Sequence, residues 1–241
     1  MRKPLRSLAL PAAAALALLA GCSSGAEAGS PSTSSSTGAT PAMAANSSAR
    51  TPTAAEVRAA VPPLAEFPAG WRIDTSDGMP SPADAQAKVS PPKCQALFDQ
   101  LHRQRKDAGE DIATAAERHY RSPDSTRFVS VSVDGYAGTA AENLFGAAAE
   151  ALADCPRFQS TAAADPAQFR ASPLSFPRLG DETLALRFLG TARSRPFTLD
   201  FVAVRVGRTS ITAQQLSFGD RADADLLVKL ATSSVRALPA R

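Results

Sequence analysis

From Ser23 to Pro52 the chain is almost entirely Ser, Thr, Ala, Gly and Pro, including the run Ser30-Pro31-Ser32-Thr33-Ser34-Ser35-Ser36-Thr37. Such a stretch carries too little apolar surface to offset the entropy lost on ordering. Whatever core exists must come from residues 53–241, a length that suits a single domain with one hydrophobic core. Residues 22–52 are expected to form a flexible tether with a root-mean-square reach of about 30 Å.

Residues 1–21 read as a secretory signal peptide. Arg2, Lys3 and Arg6 precede an apolar run from Leu8 to Ala20, which is too short to cross a bilayer as a stable span. The run closes on Leu19-Ala20-Gly21-Cys22, a tetrapeptide that resembles the bacterial lipobox. That resemblance implies diacylglycerol on the Cys22 sulfur, removal of residues 1–21 and N-acylation of the new terminus, typically with palmitate. The expected location is the outer face of the cytoplasmic membrane, reached through the lipid on Cys22.

Removing Arg2, Lys3 and Arg6 with the signal turns 26 basic residues against 23 acidic ones into an even balance. No overall field would then draw the chain to nucleic acid, and no such partner is expected. The short cluster Arg103, Arg105, Lys106 reads as the solvated C-terminal end of a helix, where positive charge complements the dipole. With Cys22 acylated, Cys94 and Cys155 remain, and an even pair in an exported protein reads as one disulfide. His102 and His119 are the only histidines, and neither stands at a metal-ligand spacing from a cysteine. No metal or cofactor is expected.

The folded part opens with Thr53-Ala54-Ala55-Glu56, the pattern of a capping box, followed by Val57, Ala60 and Val61 before Pro62-Pro63 stops the helix. A helix is predicted from Pro91 to Arg105, with Cys94, Leu97, Phe98 and Leu101 on one face. Another is predicted from Thr139 to Asp154, with Leu144, Phe145, Ala148, Leu152 and the adjoining Cys155 on one face. A third is predicted from Arg221 to Leu238, capped by Asp220, with Leu227, Leu230 and Leu238 inward. Phe128 to Val133 alternates strictly, which puts Val129, Val131 and Val133 on one side of a strand and serines on a wet or cavity-lining side. Ile112–Tyr120, Thr183–Leu189, Phe197–Val206 and Thr209–Leu216 read as further strands. They are joined by a loop from Gly190 to Pro196 and by a type II′ turn at Gly207-Arg208. The expected class is α+β, a single domain in which helices pack against an antiparallel sheet.

Chemistry-bearing constellations are sparse. Within residues 53–241 no Gly-x-Ser-x-Gly elbow occurs. His102 reads as an exposed helix-end residue and His119 as an edge-strand residue. Asp181-Glu182 follows Leu179-Gly180 and reads as a turn that opens a strand. Trp71, the one tryptophan, reads as a pin between a loop and the core.

Five short segments together carry a resemblance: Phe67-Pro68-Ala69-Gly70-Trp71, Cys94-Gln95-Ala96-Leu97-Phe98, Ala153-Asp154-Cys155-Pro156-Arg157-Phe158, Leu179-Gly180-Asp181-Glu182 and Val202-Ala203-Val204-Arg205-Val206-Gly207. In order and separation they resemble the actinobacterial sensor-domain lipoproteins related to the extracellular domain of PknH-type receptor kinases. The resemblance spans residues 53–241 and implies an antiparallel sheet with helices, an open cleft and extracytoplasmic ligand sensing. It supplies no catalytic residue. The chain departs from the kinase in having neither a kinase region nor a membrane-crossing helix, so a sensor of this kind would need a partner. It also has cysteines for one bridge where the kinase domain is expected to hold two. The expected function is a lipid-anchored, non-enzymatic binding or sensor-type module. Its partner would be a small molecule, a lipid or an envelope protein. The alternatives are a structural lipoprotein that contacts the wall and, further off, a cell-envelope enzyme.

Overall fold

The computed structural model describes residues 50–76, 88–95, 112–142, 145, 152, 154–160, 167–192, 194–219 and 222–239. All fall within one compact unit, Ala45–Arg241. The signal peptide, Cys22 and nearly all of the tether lie outside the described residues.

Nine strands run in chain order: β1 (Arg72–Asp74), β2 (Val89–Ser90), β3 (Ile112–Arg121), β4 (Arg127–Tyr136), β5 (Arg157–Ser160), β6 (Gln168–Pro173), β7 (Glu182–Ala192), β8 (Arg195–Val206) and β9 (Thr209–Phe218). Helix α1 (Ala54–Ala60) precedes them and α2 (Ala224–Ala237) follows. The strands form one sheet in the order β1-β3-β4-β9-β8-β7-β6-β5-β2, and every pairing is antiparallel. The expected antiparallel sheet is present and helices pack on it, but the described chain is mostly β. The short strands β1, β2, β5 and β6 were not expected. They are too brief for alternation to stand out in the sequence.

Each face of the sheet carries its own core. On the first, Val129, Val131, Val133, Val202, Val204 and Ile211 meet Val57 and Ala60 of α1 and Leu227, Leu230 and Ala231 of α2. Leu227 and Leu230 are fully buried, each contributing about 2 kcal/mol of apolar transfer. On the second, Phe158, Phe169, Phe188, Phe197, Phe201 and Leu216 pack around Cys94 and Cys155. Strand β8 serves both, sending Phe201 and Ala203 to one side and Val202 and Val204 to the other. A strand covered on both sides reads as a continuous apolar run, as Phe201-Val202-Ala203-Val204 does.

The capping box is formed as expected, with the Thr53 hydroxyl accepting from the Glu56 N–H and Glu56 accepting from the Thr53 N–H. The Arg50 guanidinium also donates to Glu56, at 2.7 Å from Nη1. The Arg50 bond, followed by the Thr53 N–H, holds the Glu56 carboxyl at about 2 against an ordinary 4.5. A carboxyl whose folded pKa is depressed stabilises the fold above its unfolded pKa and loses that effect as pH falls through the folded value. The melting temperature of the wild-type chain is therefore expected to exceed that of Glu56→Gln near neutral pH, with the gap closing between pH 4.5 and about 2. A gap independent of pH would refute this.

Two details of the predicted elements are corrected. The last helix is capped by Asp223, whose Oδ1 accepts from the Leu226 N–H at 3.1 Å, and not by Asp220. Gln215 fixes this start: with its amide oriented to satisfy both groups, it donates to Asp223 O and accepts from the Asp223 N–H. The loop expected from Gly190 to Pro196 is instead largely strand, since β7 and β8 pair as far as Ala192 and Arg195. Gly190 stays in the strand because its partner Phe197 lies over it. A Cβ there would fall 2.3 Å from both the ring and Gln168 O. Of the predicted Pro91–Arg105 helix, the described part is a 3-10 turn, Pro92–Cys94, running into Gln95. The remainder lies outside the described residues, as does much of Thr139–Asp154, whose residues 140–142, 145, 152 and 154 are helical. The Gly207-Arg208 turn is as expected, with positive φ at Gly207 and not at Arg208.

Candidate functional site

Cys94 and Cys155 are joined, with 5.4 Å between their Cα atoms, and both are buried in the second core. Trp71 is a structural pin: it is buried, its ring centroid lies 5.3 Å from that of Phe67, and the Arg127 guanidinium lies 5.3 Å above it. Asp181 lies in the bend that opens β7, and Glu182 is the first residue of that strand. The Asp181 carboxylate accepts from the Gly207 N–H at 2.6 Å, and Glu182 accepts from Arg205 Nε at 2.9 Å. They tie the start of β7 to the β8–β9 turn. His102 and the Arg103, Arg105, Lys106 cluster lie outside the described residues.

His119 is placed on β3, among acids. Its Nε2 lies 3.6 Å from Glu117 Oε1, and in register it faces Asp74 of β1. Burial works against the Asp74 charge, but the Ser76 hydroxyl and N–H, with Arg121 and His119 nearby, hold its carboxyl below the usual range. The serine face of β4 abuts this network: the Ser130 hydroxyl donates to Glu117 at 2.9 Å, and Ser132 donates to Asp134. The polar side expected from the Phe128–Val133 alternation is therefore real, and Ser130 and Asp134 are largely buried in it. An activated serine needs its hydroxyl on a base that can carry the proton onward. Ser130 is bonded to a carboxylate two residues from the imidazole, so the arrangement orders β3 against β4. Among the described residues no His, Cys, Asp and Glu cluster could hold a metal ion.

The other polar region is open. Beyond β8, the face that carries α1 and α2 is open, among the described residues, over the second half of β7 and over β6, β5 and β2. There it forms a groove of about 610 Å³ lined by Ser90, Arg157, Gln159, Gln168, Arg170 and Thr191 among others. Register places these side chains in rows. Arg157 stands opposite Arg170, which stands opposite Leu189, while Gln159 stands opposite Gln168, which stands opposite Thr191. Leu189 is 44% exposed on the groove floor. Along the next row Arg187 is bound to Asp200, with Nε and Nη2 each 2.6 Å from a carboxylate oxygen. The resemblance implied an open cleft but none of these lining residues was picked out from the sequence, because they come from four strands, three of them too short to recognise.

The fold and groove define an antiparallel β-sheet domain with a solvent-open polar face. The comparisons sharpen that class. No protein-family model matches the chain, and no curated protein matches it by sequence. Its fold is that of the extracellular domain of PknH from Mycobacterium tuberculosis, with a TM-score of 0.54 at 11% identity, over 78% of this chain and 98% of that one. An uncharacterized protein from Mycobacterium smegmatis, the Rv0999 ortholog, is similar at a TM-score of 0.44 and 10% identity, over 76% and 96% of the two chains. The expected fold, that of a PknH-type extracellular domain, is thus the one observed. Among the described residues no helix is long and apolar enough to cross a membrane.

Proposed function

We propose that this chain is a lipid-anchored, extracytoplasmic binding module of the sensor type, without catalytic activity of its own. The observation that carries the reading is the shared fold with an extracellular domain of a receptor kinase, matched over 98% of that domain. The lipobox at Cys22, the composition of residues 22–52 and the buried Cys94–Cys155 bridge support the same placement. A fold alone does not define function. The open groove supplies the second support, because it presents forked donors and amides where a ligand would have room to bind.

The test is expression in an actinobacterial host, followed by fractionation and mass measurement. Wild-type protein is expected in the membrane, lacking residues 1–21 and carrying diacylglycerol, while Cys22→Ala is released in soluble form. Native mass spectrometry of the oxidised protein is expected to show a discrete non-covalent adduct. An unacylated soluble wild-type protein would overturn the anchor. A folded protein that retains no molecule and binds no envelope component would overturn the binding reading.

A further inference from the structure

Arg157 and Arg170 oppose one another directly across β5 and β6. The neighbouring bond from the Ala171 N–H to Pro156 O, at 3.0 Å, identifies theirs as a non-hydrogen-bonded pair. In that class the Cα atoms approach to about 4.5 Å and the side chains are closest. Like charges directly opposite destabilise a sheet. Neither guanidinium makes a hydrogen bond or ion pair with any described residue, and both are exposed on the groove wall. Arg187 on β7 adds a third guanidinium on the same face. Its charge is already matched by Asp200, so among the described residues the uncompensated charge sits on Arg157 and Arg170.

We infer that the groove binds a phosphorylated polyol, with Arg157 and Arg170 closing on the phosphate. The guanidinium fork matches a tetrahedral oxyanion in bidentate fashion. A phosphate monoester carries close to two negative charges at neutral pH, which answers two guanidiniums where a single carboxylate would answer one. The adjacent row gives the polyol its partners. Gln159 and Gln168 each offer an amide that both donates and accepts, and Thr191 and Ser90 add hydroxyls, the complement of a chain or ring of alcohols. The groove volume of about 610 Å³ accommodates one or two such units. This inference rests on the binding-module reading above, but it fails by a different experiment.

The probe is glycerol 3-phosphate, titrated by calorimetry at low salt into the acylated full-length protein in neutral detergent, with glycerol as the uncharged control. Saturable binding is expected for the phosphate ester and none for glycerol. Arg157→Gln and Arg170→Gln are each expected to weaken it at least about tenfold, the loss of one charge-assisted contact. Arg236→Gln, on the exposed side of α2, is expected to leave it unchanged. With no ligand present, both groove variants should melt at or above the wild-type temperature because like-charge repulsion is relieved. That readout shows that lost binding is not lost folding. Absence of binding would overturn the inference, as would equal weakening by Arg236→Gln. So would binding to phosphatidylglycerol vesicles without binding to the free ester. Persistence of a native adduct in the Arg157→Gln, Arg170→Gln double variant would refute this site while leaving the module reading standing.

Discussion

Full reduction of Cys94–Cys155 is expected to lower the melting temperature of the protein by about 10 °C. The bridge closes a sequence separation of 61 residues. A loop of that length removes about 4 kcal/mol of conformational freedom from the unfolded chain in the chain-entropy model. For a domain of this size each kcal/mol is worth about 2–4 °C. The bridge also holds the edge of the sheet. Cys94 ends the turn that follows β2, whose two residues pair only with β5, and Cys155 immediately precedes Pro156 and β5. Calorimetry with and without reductant measures the effect, and Cys94→Ala should reproduce it. An unchanged melting temperature under complete reduction would show that the second core holds the edge unaided.

The second large effect is expected at the Arg187–Asp200 pair, and it is asymmetric. Asp200 is fully buried while the Arg187 side chain is 32% exposed. Removing the arginine by Arg187→Ala strands a carboxylate away from water, which costs about 3–5 kcal/mol. Removing the acid by Asp200→Ala leaves a guanidinium that can turn toward solvent, and the loss should be nearer 1–2 kcal/mol. Replacing both, as Arg187→Met with Asp200→Leu, should recover most of the stability, because an apolar pair of similar volume needs no desolvation. Urea unfolding of the four proteins gives the comparison. A larger loss in Asp200→Ala than in Arg187→Ala would show that the pair is bound by geometry and not by the burial of its acid.

The long central strands were readable in the sequence because their residues obey one strong rule. Phe128–Val133 alternates since one side meets α1 and α2 and the other faces the Glu117–His119 network. Thr53–Glu56 announced its cap, and Gly207 its turn, through chemistry local to a few residues. The helix cap at Asp223 was misread because two aspartates stand three apart before the helix. The choice between them is made by Gln215, distant in sequence. The groove was invisible for the same reason. Arg157 and Arg170 become neighbours only through the register of β5 and β6, and no spacing along the chain encodes that register. Trp71 and Asp181–Glu182 were legible in kind, since a lone buried aromatic and a turn acid behave alike in most folds.

The sheet begins and ends on strands of three and two residues, β1 and β2. A chain crowded in many copies onto one surface, as the proposed anchor would crowd this one, runs a particular hazard, the zippering of one free strand edge onto the next. Stubs this short expose very few unpaired backbone groups, but β1 covers only His119–Arg121 of β3 and leaves Ile112–Arg118 with no strand partner on that side among the described residues. The long strands β4, β9, β8 and β7, which could nucleate it, each have a neighbour on both sides. In dense packing of this protein, zippering of one sheet onto another should therefore be confined to the Ile112–Arg118 stretch of β3.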